Sequence, residues 1–186
     1  SSFLDMANYL KAKIWSHVSK NTEIDVVGHS MGGLDIRAAI IDQEEPLLNI
    51  KHCVTVGTPH EGTPWAKLIE NFLFKKAKNL SDYLVKQGRS MGPKREPMQF
   101  INTLENHMKM LDRVQKLYCF SGTKDYVVFS SSRYKMAKIE KQYGNIIKPA
   151  LIEGAAHSGI DSITQDPRAM ENIFNAILDR PLRLER

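Results

Sequence analysis

A serine enclosed by glycines, in the stretch IDVVGHSMGGLDIRAAI at residues 24–40, constrains this chain more than any other feature. The apolar run before the glycines predicts a β-strand, and the residues after them predict a helix. A direct strand-to-helix turn forces unusual backbone angles on the residue at its tip, Ser30, and requires small neighbours at Gly28 and Gly32. The turn presents the serine hydroxyl at the helix N-terminus, where backbone N–H groups and the helix dipole favour negative charge.

The G-x-S-x-G pattern at this position predicts a nucleophile elbow, which is a turn that exposes a reactive serine. A plain glycine-rich turn between a strand and a helix is the alternative interpretation. A phosphate-binding loop is disfavoured because neither a GxGxxG pattern nor a Walker lysine follows.

The remaining chain alternates strand-like and helix-like segments. Strands are predicted at 24–28, 50–57, 114–122 and 149–154, with Pro149 on an edge strand. This alternation predicts an α/β fold, with a mostly parallel sheet flanked by helices on both faces. We expect a single domain over residues 1–186.

The long interval between the second and third strands predicts an insert. We expect residues 67–113 to form a helical cap or lid, with ordinary crossover helices as the alternative. Two helices are assigned apolar faces. In the insert these residues are Phe100, Ile101, Leu104, Met108 and Leu111, and in the last helix, capped by Asp166, they are Met170, Ile173, Phe174 and Ile177.

A serine nucleophile needs a base, and the base needs an orienting carboxylate. Asp125 follows the third predicted strand and His157 follows the fourth, so both belong to the sheet edge that carries Ser30. Asp112 and Asp161 are weaker candidates, because Asp112 precedes its strand and Asp161 lies too close to His157. His60 and Glu61, after the second strand, are expected either to line the pocket or to serve the turn.

Four motifs in this order resemble the serine lipase and esterase branch of the α/β-hydrolase superfamily. They are VVGHSMGGLDIRAAI, VTVGTPHEGTPWA, SGTKDYVV and GAAHSGI. The resemblance implies catalytic roles for Ser30, Asp125 and His157, and an oxyanion donor at the Met31 backbone N–H. It implies no metal and no cofactor.

The resemblance is incomplete at the N-terminus, because that family has several strands before the elbow and here one helix and one strand precede it. We therefore expect the chain to correspond to the C-terminal portion of the fold, without the N-terminal strands. We expect a missing N-terminal segment, or a homodimer through the exposed edge of strand 24–28.

Composition and charge limit the classes of partner that we expect for this chain. The net charge is +5 with scattered lysines and arginines, and no RNA-binding signature accompanies them. We therefore expect no nucleic-acid partner, and a small-molecule or lipid ester as the substrate, with a lipid interface as a further option. Cys53 and Cys119 lie in apolar runs without metal-type spacing, which predicts buried thiols, favours a reducing cytoplasmic compartment and leaves a zinc site unsupported.

The predicted function is carboxylic ester hydrolysis through a Ser-His-Asp triad and an acyl-enzyme. A thioesterase, amidase or acyltransferase with the same triad is the first alternative. A catalytically incomplete binding module on a hydrolase fold is the second, since a fold does not determine function.

Overall fold

Four parallel strands form one sheet in the order β1-β2-β3-β4. The computed structural model describes residues 3–63, 91–92, 94–128 and 146–184. The strands are β1 (Ile24–His29), β2 (Ile50–Val56), β3 (Val114–Gly122) and β4 (Ile147–Ile152). The helices are α1 (Phe3–Trp15), α2 (Met31–Ile41), α3 (Glu96–Ile101), α4 (Leu104–Asp112) and α5 (Pro167–Ile177). No helix in these ranges is long and apolar enough to cross a membrane.

The two faces of the sheet are covered by different helices. One face buries Val26, Cys53 and Leu117 in a cluster that also contains residues of α1, α2 and α4. The other face packs Val54 and Phe120 with residues of α5. Successive strand residues point to opposite faces, so strands buried on both sides carry nearly continuous apolar sequence. The predicted parallel sheet and the predicted buried thiols are confirmed.

Proline at β4 is compatible with the sheet because β4 is an edge strand in the described part of the chain. Pro149 pairs with Cys119 of β3, and β4 has no described strand on its other side. A missing backbone N–H is tolerated at such an edge. The predicted edge position is confirmed.

The buried face of α5 differs from the predicted one. Met170 and Phe174 are exposed, whereas Ala169, Asn172 and Ala176 are buried together with Ile173. The buried face is rotated from the predicted one by about one residue, or roughly 100°, although Ile177 packs partly buried against the same core as predicted. The predicted Asp166 cap is present, since its side chain accepts a hydrogen bond from the Arg168 N–H.

The described part of the predicted insert consists of two helices that contact α2. The helical conformation is interrupted between them. Thr103 is the N-cap of α4, and its side chain accepts a hydrogen bond from the Asn106 N–H. The break changes which residues are buried. Ile101 and Leu111 lie in the core as predicted, but Phe100, Leu104 and Met108 are exposed while Met98 and Met110 are buried.

Residues 67–90 of the predicted lid lie outside the described residues. The lid therefore stays a prediction for that segment. The helices at residues 96–112 have the core face expected of crossover helices.

Candidate active site

Ser30 occupies a strained turn between β1 and α2. It is a non-glycine residue at positive φ, with φ of 53° and ψ of −125°. Such angles cost on the order of 1–3 kcal/mol and persist only where the surrounding structure imposes them. Here β1 ends at His29 and α2 begins at Met31, so a single residue makes the turn.

The glycines around the serine differ in how closely they are approached. A Cβ on Gly28 would lie 2.7 Å from the backbone N of Gly33, and a Cβ on Gly33 would lie 2.1 Å from the Thr58 Oγ1. Gly32 meets no described atom within 4 Å. The prediction that Gly32 has to be small is therefore wrong. The close contact is made instead by the next residue of the helix, Gly33, which packs against Thr58 in the loop after β2.

Ser30, His157 and Asp125 form one hydrogen-bonded line at the carboxyl ends of the strands. The Ser30 Oγ lies 2.9 Å from the His157 Nε2, and the His157 Nδ1 lies 2.9 Å from the Asp125 Oδ2. An Nδ1–H that donates to Asp125 leaves Nε2 as an acceptor for the Ser30 hydroxyl. The arrangement has the nucleophile, base and orienter contacts of a serine hydrolase site.

Asp125 is held in place by its own loop. Its second oxygen, Oδ1, accepts hydrogen bonds from the backbone N–H groups of Val127 at 3.0 Å and Val128 at 2.9 Å. The carboxyl group is buried, so one oxygen is committed to the loop and the other faces His157. Of the two weaker candidates, Asp161 is exposed and Asp112 ends α4.

Two glycines missed by the sequence analysis make room for this line. Gly57, at φ +54°, is so close that a Cβ would lie 3.2 Å from the Asp125 Oδ2 and 3.4 Å from the His157 Nδ1. A Cβ on Gly122 would lie 2.1 Å from the carbonyl oxygen of Ala155, in the segment that leads to His157. Each glycine is at the end of a strand and within one of the four motifs that carry the resemblance, but neither signal showed how closely the site approaches it.

Met31 begins α2, so its backbone N–H has no partner within the helix. This N–H follows the nucleophile directly and lies at the positive end of the helix dipole. It is the position at which the resemblance implies an oxyanion donor.

His60 lies in a buried network behind the site. The guanidinium of Arg37, on α2, donates to the His60 carbonyl at 3.0 Å and to the Ile101 carbonyl at 3.1 Å. The His60 Nε2 lies 3.0 Å from the Thr55 Oγ1. Burial and the nearby Arg37 charge hold the pKa of His60 well below its usual value, and burial lowers the pKa of Arg37 to about 10.

This network connects the nucleophile helix to the loop after β2. The same loop reaches the acid loop, where Thr63 donates its hydroxyl to the Val127 carbonyl at 2.7 Å. Of the two expectations for His60, the turn role fits this buried position. Glu61 is half-buried.

A profile of PGAP1-like alpha/beta domains matches residues 2–147 of the chain. The chain belongs to this family. The match includes Ser30 and Asp125 and ends before His157, so the support for His157 comes from its place in the chain order and from its contacts with Ser30 and Asp125. A comparison with curated proteins finds no match.

The fold of this PGAP1-like domain is similar to that of several solved hydrolases. A carboxylesterase from Nitrososphaera gargenis shares 11% identity at a TM-score of 0.58, over 96% of this chain and 72% of its own. A monoacylglycerol lipase from Paleococcus ferrophilus shares 15% identity at a TM-score of 0.52, over 96% of this chain and 74% of its own. A carboxyl esterase from Bacillus coagulans shares 16% at a TM-score of 0.60, over 95% and 70%.

These comparisons confirm the predicted resemblance at the level of family and fold: the chain is a PGAP1-like alpha/beta domain, and its fold is similar to the folds of solved esterases and lipases. They also confirm the predicted fold class, since the four-stranded parallel sheet with flanking helices matches nearly all of this chain to those folds.

Proposed function

We propose that this chain hydrolyses carboxylic esters through Ser30, His157 and Asp125. The observation that carries the proposal is the continuous line of contacts of 2.9 Å from the Ser30 Oγ to His157 and from His157 to the Asp125 carboxylate. Similarity in fold to carboxylesterases and a monoacylglycerol lipase supports an ester as the substrate.

The first half of the reaction acylates the serine. The Ser30 Oγ attacks the ester carbonyl carbon while the His157 Nε2 takes the hydroxyl proton, and Asp125 stabilises the imidazolium that forms. The Met31 N–H donates to the oxygen on which negative charge develops. The carbon–oxygen bond to the alcohol then breaks, and the alcohol leaves with the proton from His157.

The second half releases the acid. Water gives a proton to the His157 Nε2 and attacks the acyl carbon, and the bond to the Ser30 Oγ breaks as the serine recovers its proton. The contacts of the acid support this scheme, since the backbone N–H groups of Val127 and Val128 hold Asp125 and Asp125 contacts His157.

The substrate class is a small-molecule or lipid ester. A thioester, an amide or a second acyl acceptor would use the same serine, and activity across matched esters, thioesters and amides distinguishes these alternatives. The lipid interface, the partner across the β1 edge and the lid at residues 67–90 stay predictions.

Intact-mass measurement after incubation with a fluorophosphonate tests the proposal. We expect a single adduct on the 186-residue chain, loss of that adduct in Ser30→Ala, and an unchanged adduct in Ser16→Ala, which alters an exposed serine far from the site. An adduct that persists in Ser30→Ala, or no adduct on the folded chain, would contradict the proposal.

A further inference from the structure

A second imidazole lies against His157. His29 is the last residue of β1 and directly precedes Ser30. Its ring centroid is 5.2 Å from that of His157, and the two ring planes are tilted by 33°. The acyl-transfer scheme assigns no role to His29, although its ring contacts the ring of the base.

The surroundings of His29 oppose a positive charge on its ring. The His29 residue is exposed at the end of β1, and its ring is only partly shielded from water. This partial burial is the largest influence and lowers the pKa of His29, and a positive charge on His157 lowers it further. Two weaker influences raise it: the nearby backbone carbonyl of His157 and the charge of Asp125. The charged state of His157 and the charged state of His29 therefore disfavour each other.

The repulsion between positive charges on His29 and His157 affects one step of the proposed reaction. When His157 takes the serine proton, its ring becomes an imidazolium, and a second cation about 5 Å away would oppose that step. A neutral ring in the same place makes no such opposition. It also offers a π-face and an N–H donor to the segment that carries the base.

We propose that His29 is a positioning residue for the base: its imidazole packs against the His157 ring, with 5.2 Å between the ring centroids, and holds that ring toward Ser30. The inference rests on the proposed function, because it assigns His29 a task in the transfer of the serine proton. The ring contact itself does not depend on the reaction.

Two readouts on matched variants test the inference. The first is the NMR titration of the imidazoles in chain labelled with ¹⁵N-histidine, and the second is the rate of fluorophosphonate addition to Ser30 from pH 5 to 9. The variants are His29→Lys, which introduces a permanent cation, and His29→Gln, which keeps a neutral donor. His17→Lys is the control, because His17 is exposed and its ring contacts Lys13 and Ser16.

We expect His29→Lys to lower the pH midpoint of His157 and to slow labelling about tenfold relative to His29→Gln, which corresponds to about 1.4 kcal/mol. The difference should shrink in 1 M salt, because the two charges are partly exposed. His17→Lys should change neither readout. Urea unfolding of each variant verifies that the fold is retained.

Equal midpoints and equal labelling rates for His29→Lys and His29→Gln would overturn the inference. A third outcome would separate the coupling of the two rings from the proposed hydrolysis. In that outcome, His29→Lys shifts the pH midpoint of His157, but Ser30 of the wild-type chain does not react with the fluorophosphonate. In that case the coupling of the rings would stand, while the ester hydrolysis and the positioning role of His29 in it would both fall.

Discussion

His157 and His52 lie at opposite ends of the same sheet, and both contact carboxylates. His157, beyond the carboxyl end of β4, has one carboxylate on Nδ1 and the Ser30 hydroxyl on Nε2. His52, near the start of β2, has Asp25 on Nδ1 at 2.7 Å and Asp179 on Nε2 at 3.0 Å. One ring has a nitrogen that faces a hydroxyl, and the other has both nitrogens committed to carboxylates.

His52 belongs to a cluster of charged side chains, with Asp25, Lys51, Lys116 and Asp179. We call this cluster the clamp, because it connects the sheet to the segment after α5. The strand register places Asp25, His52 and Lys116 in one row across three strands. Asp179 also contacts Lys51 at 3.1 Å and forms an ion pair with Lys116. The hydrogen bond from Lys116, followed by those from His52 and Lys51, holds the pKa of Asp179 below its usual range.

The comparison shows what separates a base from a structural histidine. A general base needs one ring nitrogen with a lone pair directed at a proton that can be transferred. When a carboxylate occupies that nitrogen, the nitrogen donates its N–H to the carboxylate and cannot accept a proton from another group. The ring then connects two carboxylates, as His52 does. Two predictions test this distinction, and a third concerns a buried carboxyl elsewhere in the core; they follow in order of decreasing effect.

The largest effect is expected from Asp125→Asn. An asparagine amide on the Nδ1 side favours the tautomer whose Nε2 carries the proton, so Nε2 cannot accept the serine hydroxyl. We expect the rate of fluorophosphonate addition to fall by about 10⁴-fold, without a loss of folding. The rate is measured by mass spectrometry at pH 8.

Asp25→Asn is the matched control, since Asp25 occupies the equivalent place on the Nδ1 of His52. It should leave the labelling rate unchanged. A similar loss of rate in both variants would mean that the substitutions act through the fold, and the contrast between the two histidines would be lost.

A smaller effect, on stability alone, is expected from His52→Leu. The side chain is 1% exposed, and its removal leaves Asp25 and Asp179 without their shared partner. We expect the free energy of unfolding to fall by about 2 kcal/mol in urea titrations, a value reduced because both carboxylates reach solvent. Labelling of Ser30 should persist. Stability equal to that of the exposed-site control His17→Leu would refute the clamp.

The smallest effect is expected at Asp35, a carboxyl on α2 whose Oδ1 is buried without a hydrogen-bond partner among the described residues. Burial raises the pKa of Asp35 from 3.8 to about 7. The native state therefore keeps a proton that the unfolded state releases between about pH 4 and 7. Because of this, the contribution of Asp35 to the free energy of unfolding falls as the pH rises through that window.

Asp35→Asn removes this dependence. We expect it to stabilise the chain by about 1–2 kcal/mol at pH 8, after allowance for partial solvent access, and to have almost no effect at pH 3.5. Thermal unfolding at the two pH values measures the difference, with the exposed Asp161→Asn as the control. A gain of the same size at both pH values would show that Asp35 is not protonated in the folded chain.

Local sequence patterns predicted much of the architecture. Strand β3 was predicted with its observed bounds, and β1 and β2 within one residue. Local patterns failed where two elements had to fit together. The buried face of α5 and the break at Thr103 depend on how closely each helix approaches its neighbours, and periodicity within a helix does not contain that distance.

The candidate site divides in the same way. Ser30, Asp125 and His157 were predictable because chain order and the ends of parallel strands bring such residues to one edge. Gly57, Gly122 and the contact of Arg37 with His60 were not, since each depends on the approach of segments distant in sequence. The sequence placed His29 in the elbow, but it did not predict that the His29 ring lies beside the ring of His157.

The sequence by itself determined the elbow, the alternation of strands and helices, and the edge at which the three candidate side chains meet, because these follow from local backbone preferences and the parallel direction of the strands. Only the tertiary structure decided which atoms face each other: Nε2 of His157 toward Ser30, Nε2 of His52 toward Asp179, and the ring of His29 toward His157. Hydrogen-bond geometry and charge coupling depend on distances of a few ångströms, and those distances are set by packing between elements far apart in the chain.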